Sequence, residues 1–444
     1  MSPEAILPPE AAVSRFLRSL AEPTRILVAI SGGSDSTGLL VALNEAIKFQ
    51  SKFSLCAATV DHDLRAGSAD EARAAAALCH SLSIDHLICR WTGPKPKTGI
   101  MTAAREARYQ LLAGAAREFG ANLVVTAHTL DDQIETLAMR AGRGATSAAE
   151  TGIADAMLFD RSIWIARPLL ACSRSGIRAL LTASHIGWSD DPSNEDMKYE
   201  RVRMRAALAV QSADRLDMPS METRAALAES AADWLDRHFS LADPGLGRVS
   251  PQGIDVRDPA FCYGLGRLAA VFGGQAFPLS SSSLERVLAF LGTGEPGRVT
   301  AGRVVFDRRR DGLYLTREDR GILPLALAQG ASAIWDGRFV IANHSGSEIR
   351  VEKQGAMPAQ NDVDDRLPRS ALKRAMAAAP AVFAGDDAIV SGAFSGDMEV
   401  IPYFAPFDRF LTRFDFKFAQ RLAAAFGTRP YPRPPLGLID GKTI

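Results

Sequence analysis

The sequence predicts an α/β protein whose N-terminal part is a doubly wound parallel sheet. Three observations carry this. Short apolar runs alternate with helical stretches over the first two hundred residues, a pattern of βαβ crossovers. The runs are apolar at successive positions, as in strands buried on both faces. A glycine-rich turn joins the first run to the first helix.

The elements follow in order. "RILVAI" (Arg25–Ile30) is the first strand, and Leu39, Leu40, Leu43 and Ile47 then recur at helical spacing. "FSLCAATV" (Phe53–Val60) is the second strand. An alanine-rich helix follows, with Ser68 as its cap and Glu71 three residues on. "IDHLICR" (Ile84–Arg90) is the third strand, and the long helix after it closes at Gly120. "NLVVTAH" (Asn122–His128) is the fourth strand, and Thr129 caps the helix "DDQIETLAMRAG". After about Arg205 the pattern changes. Three domains are expected: 1–205 as the α/β domain, 206–320 as an α-rich middle domain, and 321–444 as a small α+β domain. Asp-Gly pairs at Asp311-Gly312 and Asp336-Gly337 predict hairpin turns.

Composition sets bounds. Lys+Arg and Asp+Glu are both 51, so the net charge of zero neither demands nor excludes a nucleic-acid partner. Cys56, Cys79, Cys89, Cys172 and Cys262 are scattered, without a C-x-x-C pair. That pattern argues against a disulfide framework, a zinc site or a redox pair. The N-terminus carries prolines and glutamates where a signal peptide would be basic and apolar, and no run is long enough to span a membrane. A cytoplasmic location is expected.

The turn "SGGSDS" comprises Ser31, Gly32, Gly33, Ser34, Asp35 and Ser36. Between a strand and a helix start, bare backbone N–H groups and the helix dipole favour an anion. The loop lacks the Walker A lysine, and its adjacent glycines do not make a Rossmann fingerprint. A lysine-free loop suits a pyrophosphate held whole as a leaving group. Asp35 suits Mg²⁺, which prefers carboxylate and phosphate oxygens. The plain alternative is a Ser/Gly turn with no ligand, but ligands bind at the carboxyl ends of parallel strands, where this turn lies.

These residues resemble the pyrophosphatase loop of the N-type ATP-pyrophosphatase, or PP-loop, superfamily, which has an adenine-nucleotide α-hydrolase-like fold. Further motifs narrow the resemblance: "VDHDLRAGSADEA", "AREARY", "TAHTLDDQIET", "RAGRG", "RPLL" and "WSDDPSNED". In order and spacing they resemble the tRNA(Ile)-lysidine synthetase family, over roughly the first 205 residues. Beyond them only "WDGRF" and the general layout look family-like. Asp63 stands where the family usually has Gly, Thr129 where it has a second His, and "RVRMR" where it has an Asn-containing arginine segment.

The resemblance implies ATP-dependent ligation of free L-lysine to the wobble cytidine of tRNA(Ile) with anticodon CAU, through an adenylated base. ATP is the substrate and Mg²⁺ the metal, held by Asp35. Ser31 to Ser36, Asp61 and His62 are implied for ATP. Arg108 would neutralise the α-phosphate, with Arg105 supporting it one turn away. Asp132 and Glu135, three apart on one helix side, would hold the lysine ammonium. His128 would contact phosphate or move a proton; the sequence leaves both open. Catalysis thus falls to Asp35, Arg108, His128 and Asp132. Arg140, Arg143, Arg167, Arg174, Arg178, Arg201, Arg203 and Arg205 are candidates for tRNA phosphates. For any single arginine, a surface ion pair is the plain alternative. The oligomeric state stays open, a homodimer included. Rival readings are another PP-loop tRNA-modifying enzyme, such as a thiolase, and a non-catalytic ATP-binding regulator. The scattered cysteines disfavour the first, and the diacid with the arginines disfavours the second.

Overall fold

A computed structural model describes residues 6–64, 67–141, 152–189, 204, 221–243, 245–355, 367–384, 387–389 and 398–437. The chain divides into two compact units, residues 1–224 with 432–444 and residues 225–431.

In the first unit, α1 (Pro9–Ser19) precedes β1 (Thr24–Ala29), α2 (Ser34–Ile47), β2 (Phe53–Asp61), α3 (Ser68–Ser81), β3 (Asp85–Arg90) and α4 (Ile100–Phe119). Then come β4 (Leu123–Val125), α5 (Leu130–Ala141), β5 (Ala156–Phe159), β6 (Ile163–Ala166) and α6 (Arg174–Ala183). The strands lie in the order β5–β6–β4–β1–β2–β3. All neighbours are parallel except β5 and β6. Ile26, Leu27 and Val28 of β1 and Leu123, Val124 and Val125 of β4 are fully buried, as a sheet covered on both faces requires.

The chain progresses outward from β1 in one direction to β2 and β3, then returns to the other side of β1 with β4. The order therefore reverses between β1 and β4, the crevice where open α/β sheets bind ligands. The turn after β1 and the turn after β4 lie side by side there.

Several expectations change in detail. Ser68 does not cap α3; Gly67 holds the cap position in a left-handed conformation, and the Ser68 hydroxyl bonds Asp61 instead. Strand β4 is only three residues, and its last bond to β6 is that of Thr126 N–H to the Ala166 carbonyl at 2.9 Å. The sheet is not wholly parallel. β5 and β6 form a hairpin whose turn sets Asp160 and Arg161 at φ 51° and 50°. No glycine marks that turn, so turn chemistry gave no signal for it.

Helices α2 and α6 pack closely. At their contact a Cβ placed on Gly38 would collide with Ile177. This approach seats the start of α6 beside the start of α2. The C-terminal segment also belongs to this unit. Leu436 bridges Leu20, Gly437 N–H donates to the Ser19 carbonyl, and Trp164 Nε1 donates to the Pro432 carbonyl.

The second unit holds helices Pro259–Gly273 and Ser281–Gly292, and beside the helical content expected of an α-rich middle segment it also holds a five-stranded antiparallel sheet. Its hairpin turns at Arg310-Asp311, one residue before the predicted pair. Four-stranded and three-stranded sheets follow, with helices Arg369–Ala377 and Phe416–Ala425. The turn at Asp336 is as predicted, and its carboxylate is buried and bonded to Arg303, Arg317 and Arg338. Cys56, Cys79, Cys89 and Cys172 are buried thiols and Cys262 is half-buried; all are unbridged. Among the described residues no helix is long and apolar enough to cross a membrane.

The Gly38 contact sets a test. Gly38→Ala should lower the unfolding free energy by about 1–3 kcal/mol, the usual range for overpacking. Gly114→Ala, on α4 with nothing within 4 Å of the added methyl, should raise it by about 0.5–1 kcal/mol. Urea unfolding of the two variants checks both.

Candidate active site

The loop after β1 is built to leave its upper side bare. Gly32 takes φ 84°, and Gly33 stands at the N-cap of α2 with no side chain capping the helix. Ser36 is spent inward: it accepts from Ser31 N–H at 3.1 Å and donates to the Gly33 carbonyl at 3.1 Å. Ser189 N–H ties down the Gly32 carbonyl at 2.9 Å. The first-turn amides of α2 are thus presented as a group, with the dipole behind them. Gly33 has an ordinary φ of −73°, and a methyl there would meet nothing closer than Ser31 Oγ at 3.7 Å. The fold itself gives no reason for glycine at 33; close approach of an anion to the main chain would.

Three helix starts converge at the crevice. Thr129 caps α5 reciprocally with Asp132: its N–H donates to Asp132 Oδ2 at 2.8 Å, and Asp132 N–H donates back to Thr129 Oγ1 at 3.4 Å. The first amide of α6, that of Arg174, donates to Asp131 Oδ2 at 2.8 Å. Ser173 caps α6 through Gly176 N–H at 3.1 Å. The Leu130 N–H donates to the Cys172 carbonyl at 2.9 Å and joins the starts of α5 and α6.

The acidic side chains meet around one cation. Arg174 reaches Asp35 Oδ2 at 3.0 Å, Asp132 Oδ1 at 3.5 Å and Glu135 Oε1 at 3.8 Å. Glu135 is only 3% exposed, so its negative end faces inward toward this cluster. Burial pushes the Asp35 carboxyl above its usual range despite Arg174, and the nearby Asp132 adds to the rise. Burial alone would lower the Arg174 pKa, but Asp35 and Asp132 hold it above the ordinary value.

The other candidates fall on the β2 side or elsewhere. Asp61 is buried, and although burial opposes ionisation, hydrogen bonds from Asp63 N–H (2.9 Å) and Ser68 keep its carboxyl below the usual range. Asp63 takes φ 51°, which accounts for a glycine preference at this position. His62 sits edge-on to Trp91 at 5.9 Å, and both its ring nitrogens are buried with no hydrogen-bond partner among the described residues. Burial, then the charge of Arg108, lowers its pKa to about 4. Arg108 itself is exposed, as is Arg105, which lies over the Tyr109 ring. His128 is half-buried with Nδ1 3.1 Å from Thr126 Oγ1.

The arginines proposed for RNA separate. Arg140 and Arg178 are exposed, and Arg178 Nε stands 3.5 Å from Ser34 Oγ, close to the loop. Arg167 does not face solvent: at 4% exposure it donates to the Ala154 carbonyl at 2.6 Å and approaches Met157 Sδ at 3.2 Å, leaving no edge for a phosphate. Arg174 faces the acidic cluster instead of an outer surface. Arg143, Arg201, Arg203 and Arg205 lie outside the described residues. The inward role of Arg174 and the tie from Asp131 left no mark in residue spacing, because both depend on where α6 lands against α2 and α5.

A bare anion cradle at a sheet switch point, faced by carboxylates, defines a nucleotide-using α/β domain. Residues 8–212 match the model of a PP-loop domain. The chain is 41% identical to the tRNA(Ile)-lysidine synthase of Rhizobium meliloti (strain 1021), over 96% of this chain and 98% of that one. It is 40% identical to the tRNA(Ile)-lysidine synthase of Mesorhizobium japonicum, over 93% and 94% respectively. A structure of the U34-tRNA thiolase NcsA from Methanococcus maripaludis is similar over 45% of this chain and 71% of that one, at TM-score 0.39 and 18% identity. The chain belongs to the tRNA(Ile)-lysidine synthase family.

Two tests follow. Gly33→Ala should leave the thermal unfolding midpoint unchanged while sharply weakening nucleotide binding, read by calorimetric titration. For His62, a depressed pKa means the stability it contributes is complete above its unfolded value near 6.5 and is lost as pH falls through about 4. Its ring proton signals should therefore show no titration step between about pH 5.5 and 8.

Proposed function

We propose that this protein ligates free L-lysine to the wobble cytidine of tRNA(Ile) carrying the CAU anticodon, with ATP converted to AMP and pyrophosphate. The observation that carries the reading is the breadth of one guanidinium: Arg174 touches Asp35 of the phosphate loop and the Asp132–Glu135 pair at once. A cation held by the diacid therefore stands beside the phosphate cradle, where an amine nucleophile and an activated base must meet.

The backbone amides of Gly33 to Ser36 hold the β- and γ-phosphoryl groups. Arg108 approaches the nucleotide from the β2 side, beside His62 and Asp61, and offsets charge at the α-phosphate. The cytidine 2-oxo oxygen bonds the α-phosphorus and pyrophosphate leaves. The lysine side-chain amine then bonds C2, AMP departs with the oxygen, and lysidine remains. A poor leaving oxygen is thus exchanged for a good one before the C–N bond forms. The amine must lose a proton to attack; Asp132, beside the ammonium position, and His128, at the end of the β4 segment, are the groups assigned to receive it. The modified base would change codon reading from AUG to AUA and tRNA identity from methionine to isoleucine. Residues 321–444, of which 432–444 belong to the first unit, are assigned to tRNA recognition.

No group of three metal-ligating side chains occurs among the described residues. Among the described residues Asp35 is the carboxylate carried by the cradle itself, which suits an ion bound by one carboxylate, phosphate oxygens and water. When bound there, Mg²⁺ would neutralise charge on the leaving pyrophosphate.

The test is incubation of unmodified tRNA(Ile) with ATP and labelled lysine. Label should appear on the RNA in wild type. Asp132→Asn and Glu135→Gln should each raise the KM for lysine by about tenfold or more, as loss of one charge-assisted contact of about 1.5–3 kcal/mol implies. Arg108→Ala should instead reduce kcat. No label with folded protein and RNA would remove this reading.

A further inference from the structure

In the reaction as proposed, Arg174 has no task, yet it occupies the centre of the crevice. The proposed binding roles assign Asp35 to the metal and phosphate end and Asp132 with Glu135 to the lysine ammonium. The inference here rests on that assignment. One guanidinium now serves both places, at 3.0 Å from Asp35, 3.5 Å from Asp132 and 3.8 Å from Glu135. Three cations cannot share that space, since like charges a few ångströms apart repel strongly in a partly buried site. Arg174 must therefore withdraw when Mg²⁺ and lysine enter.

The fold limits how it withdraws. The Arg174 main chain is fixed at the first turn of α6, its N–H held by Asp131 at 2.8 Å. The close approach of Gly38 and Ile177 holds α6 itself against α2. Motion falls on the arginine side chain, which moves as one body. Leaving Asp35 for a phosphate oxygen takes the same guanidinium away from Asp132 and Glu135. The longer distances to those two carboxylates mark charge compensation, whereas the contact to Asp35 is a full hydrogen bond.

We propose that Arg174 is a placeholder cation that couples the substrates: Mg·ATP draws its guanidinium onto phosphate, and the same movement opens the diacid to lysine. Because binding free energies are linked, lysine favours Mg·ATP by the same factor. The residue is then a positioning residue for order of entry as well as a phosphate ligand after it.

Calorimetry on the full chain tests this, with L-lysine as titrant in the absence and presence of Mg²⁺ and α,β-methylene-ATP. Wild type should bind lysine more tightly with the nucleotide, by about 5–150-fold, the usual span of coupling between sites. Arg174→Ala should bind lysine alone more tightly than wild type does, and the nucleotide should no longer improve it. Arg174→Lys keeps a cation on a flexible stem and should retain part of the coupling; it carries the comparison if Arg174→Ala fails to fold. A wild-type ratio near one, or an undiminished ratio in both variants, overturns the proposal. The double variant Asp132→Asn, Glu135→Gln separates the levels. If it binds lysine like wild type, the ammonium site is misassigned and the placeholder falls with it. If it loses lysine while Arg174→Ala keeps full coupling, the placeholder alone is overturned.

Discussion

The crevice depends on one place where there is no room for a methyl group. Gly38 on α2 lets Ile177 of α6 come into direct contact, and every charged meeting at the site inherits that closeness. With α6 displaced by even the width of a side chain, Arg174 would lose Asp35, Asp131 would lose the first amide of α6, and the joint between Leu130 and Cys172 would open. A packing detail between two helices thus fixes electrostatics at their ends. Interiors transmit such constraints because they are close-packed and cannot absorb a shift locally.

Charge balance in the crevice follows from that geometry. Three helix starts direct partial positive charge inward, and Asp35, Asp131, Asp132 and Glu135 oppose them. A triphosphate seated there, as proposed, would add several negative charges to a place already rich in carboxylates. It can be seated only if cations come with it and amides receive it. Burial that raises the Asp35 pKa shows the cost of negative charge at this point even with a guanidinium in contact. The β2 side is arranged differently. His62 is kept neutral there, and the positive charge on this side comes from Arg108, Lys95 and Arg90.

Much of this was legible in the sequence because it is local. The strand–turn–helix at Ile30–Ser36 announces itself through adjacent glycines, and Thr129 with Asp132 through cap spacing. The hairpin at Asp336 was visible because Asp-Gly turns have a distinct chemistry. What was not legible is what depends on contacts far apart in the chain. Arg167 and Arg174 read alike as surface charges, yet one is buried against the Ala154 carbonyl and the other sits among three carboxylates. The β5–β6 hairpin was missed because Asp160 and Arg161 adopt left-handed conformations without glycine's help. The strands Phe239–Asp243 and Leu246–Val249 were hidden because the helical periodicity around them dominated the middle segment.

The return of the chain to the first unit has a bearing on biosynthesis. Ser19 and Leu20 receive their main-chain partners from Gly437 and Leu436, and Trp164 from Pro432. A ribosome makes α1 first and those partners more than four hundred residues later. The first unit therefore cannot finish assembling before residues 432–437 have been made. Until those residues emerge, the indole N–H of Trp164 and the edge beside Leu20 must wait for them, and a segment remote in the chain completes the unit that begins with α1.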